Sequence, residues 1–176
     1  KRRGFTPASI RNFCEQIGVG RSDSWIDYEL LEESVRNDLN ENAPRAMAVL
    51  HPIKLIIDNY PEEQVDEFEV ANHPGKPELG SRKLPFSKEI YIDADDFMEN
   101  PVKGFHRLTV GGEVKLKYAY VVKCTGMVKD EQGRVVELHA DYDPGSTNGP
   151  VTSDGRKIKG VIHWLSARHA SSVEVR

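Results

Sequence analysis

The feature that most constrains the fold is a series of short strand-like segments after residue 45, with turn sequences between them. Several alternate apolar and polar side chains, the pattern of a strand with one buried face. They occupy residues 46–50, 54–57, 67–70, 89–93, 113–117, 134–138 and 159–164. Turn residues, glycine above all, mark the breaks at 72–75, 111–112, 131–133 and 154–155. Because no helical periodicity intervenes, the sequence predicts a mainly β fold, an antiparallel β-barrel or sandwich.

Residues 1–44 carry helical signals instead. Thr6 suits an N-cap, Pro7 suits the first helical position, and Gly18 suits a C-terminal cap. A second helix is expected from about Asp27 to just before Pro44, which disfavours helical geometry in the residue that precedes it. Apolar side chains recur at helical spacing in both segments: Ile10, Phe13 and Ile17, then Tyr28, Leu31, Val35 and Leu39. We therefore predict an α-helical connector at 1–44 and a β-barrel at 45–176.

Composition excludes several classes of protein. The 176-residue length suits one domain, or a domain with a smaller subdomain. Cys14 and Cys124 are too few and too far apart for a disulfide-rich scaffold or a cysteine-rich zinc module. No apolar stretch reaches the roughly 18 to 20 residues of a transmembrane helix, so no membrane association is expected.

The net charge of −4 conceals a segregation of charge along the chain. Acidic residues dominate 27–41 and 58–69, whereas basic residues dominate 103–134 and 150–176. A basic face can attract phosphate even on a chain that is acidic overall. An ordinary mixed surface has the same signature, so charge alone does not assign a partner.

No motif of a catalytic centre is present. The chain lacks a P-loop, a dinucleotide-binding turn, an HExxH pair and a GxSxG elbow. Asp93, Asp95 and Asp96 could hold a hard cation, but a solvated acidic turn is the simpler expectation. Asp141 begins a calcium-like loop that Pro144 interrupts. We therefore expect no catalytic residue, no metal and no cofactor in this chain.

A basic strand is the strongest candidate for a binding site. Lys115 and Lys117 are two residues apart and are expected on the same sheet face, with Arg107 upstream across a Gly-Gly turn. Nearby aromatic side chains belong to Phe105, Tyr118 and Tyr120. Cations beside aromatic rings suit single-stranded nucleic acid, whose unstacked bases offer rings and edges. An outward-facing polar row on a half-buried strand explains the same residues.

Three motifs together resemble the glutaminyl-tRNA synthetase family. They are DLNENAPRAMAV at 38–49, the NHP, GSR and PFS triplets within 72–87, and DGRKIKGVIHW at 154–164. Their order and spacing match that family across nearly the whole chain. Arg2-Arg3-Gly4-Phe5 and residues 10–14 also resemble its helical connecting region.

The resemblance implies a ribosomal-protein-like anticodon-binding barrel, the proximal of two, with the distal barrel incomplete or absent. The parent would be a cytoplasmic glutamine–tRNA ligase, whose upstream catalytic domain would use ATP and Mg²⁺. This part would bind the tRNA(Gln) anticodon stem-loop, carry no cofactor, be inactive alone and be monomeric. The opening Lys1 and the strand-like alternation at 172–176 agree with a piece of a longer chain.

By the same resemblance, five residues contact tRNA. Asn40 and Arg45 lie near the anticodon stem-loop, with Arg45 directed at the middle base. Arg107 reads the third base, and Lys115 and Lys117 contact the first. The family's bacterial members are expected to have arginine at both lysine positions. Lysine keeps the charge but lacks the planar fork for bidentate contacts.

Other interpretations stay open at this point. The archaeal or eukaryotic type of glutamyl-tRNA synthetase shares this barrel, although the NENAPR segment favours the glutaminyl enzyme. A stand-alone ribosomal-RNA-binding barrel and a protein-interaction barrel with an incidental basic face are alternatives of other classes.

Overall fold

The computed structural model describes residues 3–147 and 149–175. Arg2 and Arg176, which take part in the predictions above, lie outside these described residues. The described chain forms two compact units. The helical unit runs up to Arg45 and includes Ala71–Ser81, and the sheet unit comprises Ala46–Val70 and the residues from Arg82 onward.

Two helices make up most of the helical unit. Helix α1 spans Pro7–Ile17, and helix α2 spans Tyr28–Asn42. Thr6 caps α1 as predicted, because its side chain accepts a hydrogen bond from the Ser9 N–H and its own N–H donates to the Ser9 hydroxyl. Gly18 ends α1 with a φ of 68°. Within the described part of the chain, no helix is long and apolar enough to cross a membrane.

Two side-chain hydrogen bonds link the two helical segments. The Thr6 hydroxyl donates to Asp38 at 2.5 Å, and the Ser34 hydroxyl donates to Gln16 at 3.2 Å. Three members of the predicted apolar stripes remain exposed: Ile10, Ile17 and Tyr28. The helical periodicity is therefore confirmed, but the apolar stripes are covered in part.

The sheet unit confirms a mainly β fold. The strands of the chain are β1 Pro52–Ile57, β2 Asp66–Ala71, β3 Ser81–Phe86, β4 Glu89–Asp93, β5 Glu113–Leu116, β6 Val121–Lys129, β7 Val135–Asp143, β8 Val161–Ile162 and β9 Leu165–Ser166. Over the described residues, seven strands form one curled sheet in the order β8-β5-β6-β7-β1-β4-β9, and β2 pairs with β3.

Parallel pairing modifies the antiparallel expectation. Strand β1 runs parallel to β7, with Leu55 opposite Leu138, and β5 runs parallel to β8, with Lys115 opposite Val161. The pairs β1–β4, β4–β9, β5–β6 and β6–β7 are antiparallel. Strand β1 lies between β4 and β7 in the sheet, whereas β2, which follows it in sequence, pairs with β3 instead.

One segment, residues 161–166, joins the two edges of the sheet. Strand β8 pairs with β5 at one edge, and β9 pairs with β4 at the other. Only His163 and Trp164 separate β8 from β9, so this short connection holds the two edges of the sheet close together. The Trp164 side chain is fully buried, and its indole N–H donates to the Lys117 carbonyl at 2.9 Å. These contacts close the sheet into a barrel-like form.

Some strand predictions were wrong. Residues 46–50 form no strand, and residues 172–175 form none either. Pro52 begins β1 rather than breaking it, because the first residue of a strand can do without a ladder N–H. Strands β3, β6 and β9 were not predicted at all.

Aromatic rings fill the core of the sheet unit in edge-to-face contacts. The cluster comprises Tyr60, Phe68, Phe86, Tyr120, Tyr142 and Trp164. The Tyr120 hydroxyl donates to Asp66 at 2.6 Å. The Tyr60 hydroxyl, in a residue that is 1% exposed, has no partner with hydrogen-bond geometry among the described residues, although burial and the nearby Asp66 carboxylate raise the pKa of Tyr60. A buried hydroxyl without a partner keeps its desolvation cost uncompensated.

Replacing Tyr120 or Tyr60 by phenylalanine tests whether the two hydroxyls contribute differently to stability. We expect Tyr120→Phe to lower the free energy of unfolding by about 1 to 2 kcal/mol, since it removes a hydrogen bond to a carboxylate. Tyr60→Phe should leave that free energy unchanged or raise it, because no bond is lost. Urea unfolding of both variants measures the contrast. Equal losses would show that the Tyr60 hydroxyl has a partner in solution.

His139 gives the sheet unit a pH-dependent stability. Its Nδ1 lies 2.8 Å from Asp58, and its Nε2 lies 3.3 Å from Glu137. The hydrogen bond to Asp58, aided by both negative charges, raises the pKa of His139 despite partial burial. A raised pKa stabilises the fold fully below the unfolded-state pKa, and this contribution is lost as pH rises through the folded-state pKa.

We therefore expect His139→Gln to cost more stability at about pH 5.5 than at about pH 9, on either side of the ordinary histidine range. Urea unfolding of the wild-type chain and the variant at both pH values measures the difference. A pH-independent difference would contradict the assigned ion pairs.

Candidate nucleic-acid interface

In the helical unit, Arg45 binds the C-terminal end of α2. Its Nη2 donates to the Asn40 carbonyl at 2.6 Å, and its Nη1 lies 3.5 Å from both the Leu39 carbonyl and the Asn40 side-chain oxygen. Carbonyls at a helix C-terminus lack intrahelical partners, so a cation there is favourable. The structure thus brings together Asn40 and Arg45, both of which are predicted to lie near the anticodon stem-loop.

The 72–76 loop supports the same helix end. The Arg45 backbone N–H donates to the Asn72 carbonyl at 2.6 Å. The His73 Nε2 lies 3.0 Å from the Asn40 carbonyl, and the Lys76 ammonium donates to Asn42 at 2.8 Å. His73 belongs to the NHP motif, but the sequence pattern alone indicates only a turn at Pro74 and Gly75 and no role for His73.

In the sheet unit, Arg107 is held by Asp96. The Arg107 Nη1 donates to the Asp96 carboxylate, whose side chain is 12% exposed. Burial raises the pKa of Asp96 against the opposing charge of Arg107. The Arg107 side chain remains 53% exposed, and among the described residues its Nε and Nη2 have no hydrogen-bond partner. Arg107 therefore presents donors to solvent from a fixed anchor.

An open recess of about 370 Å³ lies beside this pair. Its polar lining comprises His51, Asp93, Asp95, Asp96, Arg107 and His163. Ligand atoms of His51, Asp93 and Asp95 lie within 4.8 Å of one another. Burial raises the pKa of Asp93, but backbone N–H groups of Asp95, Leu50 and His51 outweigh it and hold the pKa below its usual value. That carboxylate is therefore satisfied by the chain itself.

Lys117 directly follows the last residue of β5 and contacts two rings. Its ammonium is 3.4 Å from the His163 Nε2 and 5.4 Å from the centre of the Tyr118 ring. Burial and the nearby charge of Lys117 lower the pKa of His163, so a neutral imidazole is favoured there. Because His163 also lines the recess with Arg107, both predicted cations border one region of the sheet unit. The sequence pointed to Asp96 only as a possible ligand of a hard cation, and to His163 only as a member of the motif at 154–164.

The sequence predicts Lys115 as an exposed cation beside Lys117, and the structure shows that this prediction is wrong. The residue is 4% exposed, and its ammonium donates to the Ser146 carbonyl. Burial lowers the pKa of Lys115, with the charge of Asp143 opposing the shift. The side chain does leave the sheet on the face opposite Val114, but the segment after β7 covers it, which strand alternation alone does not reveal. Its predicted RNA contact is not exposed in this structure.

The predicted aromatic neighbours also differ in their exposure to solvent. Tyr118 is 45% exposed, so its ring is available beside Lys117. Tyr120 is buried in the aromatic core and hydrogen-bonded to Asp66, which removes it as a stacking platform. Phe105 is half-buried.

Comparison with known proteins gives the strongest functional signal. The family model described as "tRNA synthetases class I (E and Q), anti-codon binding domain" matches residues 43–143. The whole chain is 53% identical to a glutamine–tRNA ligase of Nitrosomonas europaea and 54% identical to one of Pseudoalteromonas atlantica, covering 32% and 31% of those proteins. A glutamine–tRNA ligase of Pseudomonas syringae pv. tomato is 52% identical over the whole chain. The chain thus spans about a third of the length of these relatives.

Amine labelling tests the different placement of the two lysines. We expect a lysine-acylating reagent to modify Lys117 and the exposed Lys123 on β6 while Lys115 stays protected, because acylation needs access to the ammonium nitrogen. Mass spectrometry of peptides from the native and the urea-unfolded chain measures the three sites. Native labelling of Lys115 at the rate of Lys123 would show that the covering segment opens in solution.

Proposed function

Because this chain belongs to the anticodon-binding domain family of class I tRNA synthetases (E and Q), we propose that it binds the anticodon stem-loop of tRNA(Gln) as part of a glutamine–tRNA ligase. The observation that carries the proposal is the 53% identity to a glutamine–tRNA ligase over all 176 residues. The relatives above bear the glutamine name, which favours this ligase over the glutamyl type. Family membership also disfavours a ribosomal-RNA-binding barrel and a protein-interaction barrel.

Arg107 is the proposed reader of the third anticodon base. Its Asp96 anchor occupies Nη1, which leaves Nε and Nη2 without a partner among the described residues. Two neighbouring N–H donors in a fixed plane suit bidentate contact with acceptors on a base edge. The recess beside it gives an unstacked base a place to enter.

Arg45 and Asn40 are the proposed contacts near the middle base. Their hydrogen bonds to each other fix one side of the guanidinium against the α2 end. Among the described residues the Arg45 Nε has no partner, which leaves a donor for RNA.

Lys117 is the proposed contact to the first base, acting as a charge next to the exposed Tyr118 ring. Lys115 is proposed to act at the same base from its covered position, by holding the segment after β7 through Ser146. Direct contact from Lys115 would require that segment to move.

The ligase reaction itself is proposed to take place outside this chain. Attachment of glutamine would use ATP and Mg²⁺ in a catalytic domain joined to this one, and this part would carry no cofactor and no activity alone. We also propose a monomeric, cytoplasmic ligase, with residues 1–44 as its helical connector and residues 45–176 as its proximal barrel.

Arg107→Ala tests the proposal. We expect the variant to lose on the order of 1 to 3 kcal/mol of affinity for the tRNA(Gln) anticodon stem-loop, the usual value of a bidentate base contact. The loss should shrink when the third anticodon base is changed, because the contact is then already missing. Binding titrations with glutamine and glutamate tRNAs and with anticodon variants measure both effects.

Arg134→Ala is the matched control, since Arg134 is also an exposed arginine paired with an aspartate, at 2.8 Å from Asp130. It should leave affinity nearly unchanged. Unaltered affinity in Arg107→Ala would refute the base contact. Equal weak binding to every RNA would reduce the function to salt-dependent attraction of phosphate.

A further inference from the structure

His73 is a buried histidine whose tautomer follows from its contacts. The residue is 6% exposed. The Gly75 backbone N–H donates to its Nδ1 at 3.0 Å, so Nδ1 is an acceptor without a proton. A neutral imidazole has one N–H, which must then be at Nε2. That N–H donates to the Asn40 carbonyl at 3.0 Å.

The Asn40 carbonyl receives two donors from two different parts of the helical unit. One is the Nη2 of Arg45 at 2.6 Å, and the other is the Nε2 of His73. A carbonyl oxygen has two lone pairs, so these two bonds use its full capacity to accept hydrogen bonds. Because Arg45 already gives the Asn40 carbonyl a partner, the bond from His73 adds orientation rather than a missing partner.

These contacts restrict the orientation of the Arg45 guanidinium. A long side chain loses rotamer freedom when it binds a partner, and prior fixation lowers that cost. The Arg45 backbone is tied to the 72–76 loop at Asn72, and its guanidinium is tied to the carbonyl that His73 holds. His73 thus controls the acceptor that sets the direction of the guanidinium plane.

We propose that His73 is a positioning residue for recognition of the middle anticodon base by Arg45. The proposal rests on the proposed function, in which Arg45 contacts that base. In its neutral form with the proton on Nε2, His73 holds the Asn40 carbonyl and so directs the remaining donors of Arg45 towards RNA. It touches no base itself.

Two substitutions separate the two bonds of the imidazole. His73→Asn places an oxygen where Nδ1 lies, so it can keep the Gly75 N–H contact, but it cannot reach Asn40. His73→Gln places an amide N–H where Nε2 lies, so it can keep the bond to Asn40. Both variants are made in the longest natural chain that contains these residues, and their urea unfolding is measured alongside binding.

The readout is the ratio of dissociation constants for tRNA(Gln) with a changed middle base and for unchanged tRNA(Gln). We expect His73→Asn to reduce this ratio by about tenfold, within the range of one bidentate base contact, and His73→Gln to retain it. The corresponding ratio for the third base should stay unchanged in both variants. In an Arg45→Ala background, His73→Asn should have no further effect on the middle-base ratio.

The outcomes are separable. If Arg45→Ala leaves the middle-base ratio intact, the proposed function of Arg45 fails. If Arg45→Ala reduces the ratio and His73→Asn does not, the positioning role of His73 is overturned. Equal losses at the middle and third bases would also overturn it, since a purely structural defect acts that way. Should His73→Asn fail to fold, His73→Phe, which has no ring nitrogen to bind the Asn40 carbonyl, replaces it: a reduced middle-base ratio supports the role, and a retained ratio overturns it.

Discussion

The closure of the sheet by residues 161–166 is the constraint on which the sheet unit depends. This segment supplies the outermost strand at both edges, and Trp164 between them fills the core. An open edge would leave unpaired N–H and C=O groups. The same segment approaches the chain so closely that a Cβ at Gly160 would lie 2.0 Å from the His106 carbonyl, so glycine is required where the closing strand begins. Arg107 follows His106 directly, which ties the position of this cation to barrel closure.

The two candidate arginines are fixed by different acceptors. Arg45 is held by carbonyl groups at the end of a helix, and Arg107 is held by a largely buried carboxylate. In each case part of the guanidinium is occupied by the protein and part is open to solvent. Such preorganisation lowers the entropic cost of binding, so a single side chain can contribute specificity from a small surface.

Local signals were predictable from the sequence, and contacts between distant segments were not. The limits of α1 followed from Thr6 and Gly18, because capping depends on neighbouring residues. The burial of Lys115 depends on Ser146, which no strand pattern connects to it. Strand β6 was missed because Val121 and Val122 are both buried and a bulge follows, which interrupts the alternation that marks a strand. The family motifs identified the candidate residues, but the acceptors that orient them, Asp96 and the Asn40 carbonyl, required the structure.

The parallel pair β1–β7 has a consequence for the order of folding. Strands β6 and β7 are joined by a tight turn at Asp130–Gly133, so their pairing closes a short loop at low entropic cost. Strand β1 can join β7 only after the intervening chain has been synthesised, and the edges can be sealed only after Trp164 has followed. Pairings between such distant segments fold slowly. On the ribosome, the β6–β7 hairpin is therefore expected to form before the barrel closes. Until then, the apolar side chains of β1 remain partly exposed.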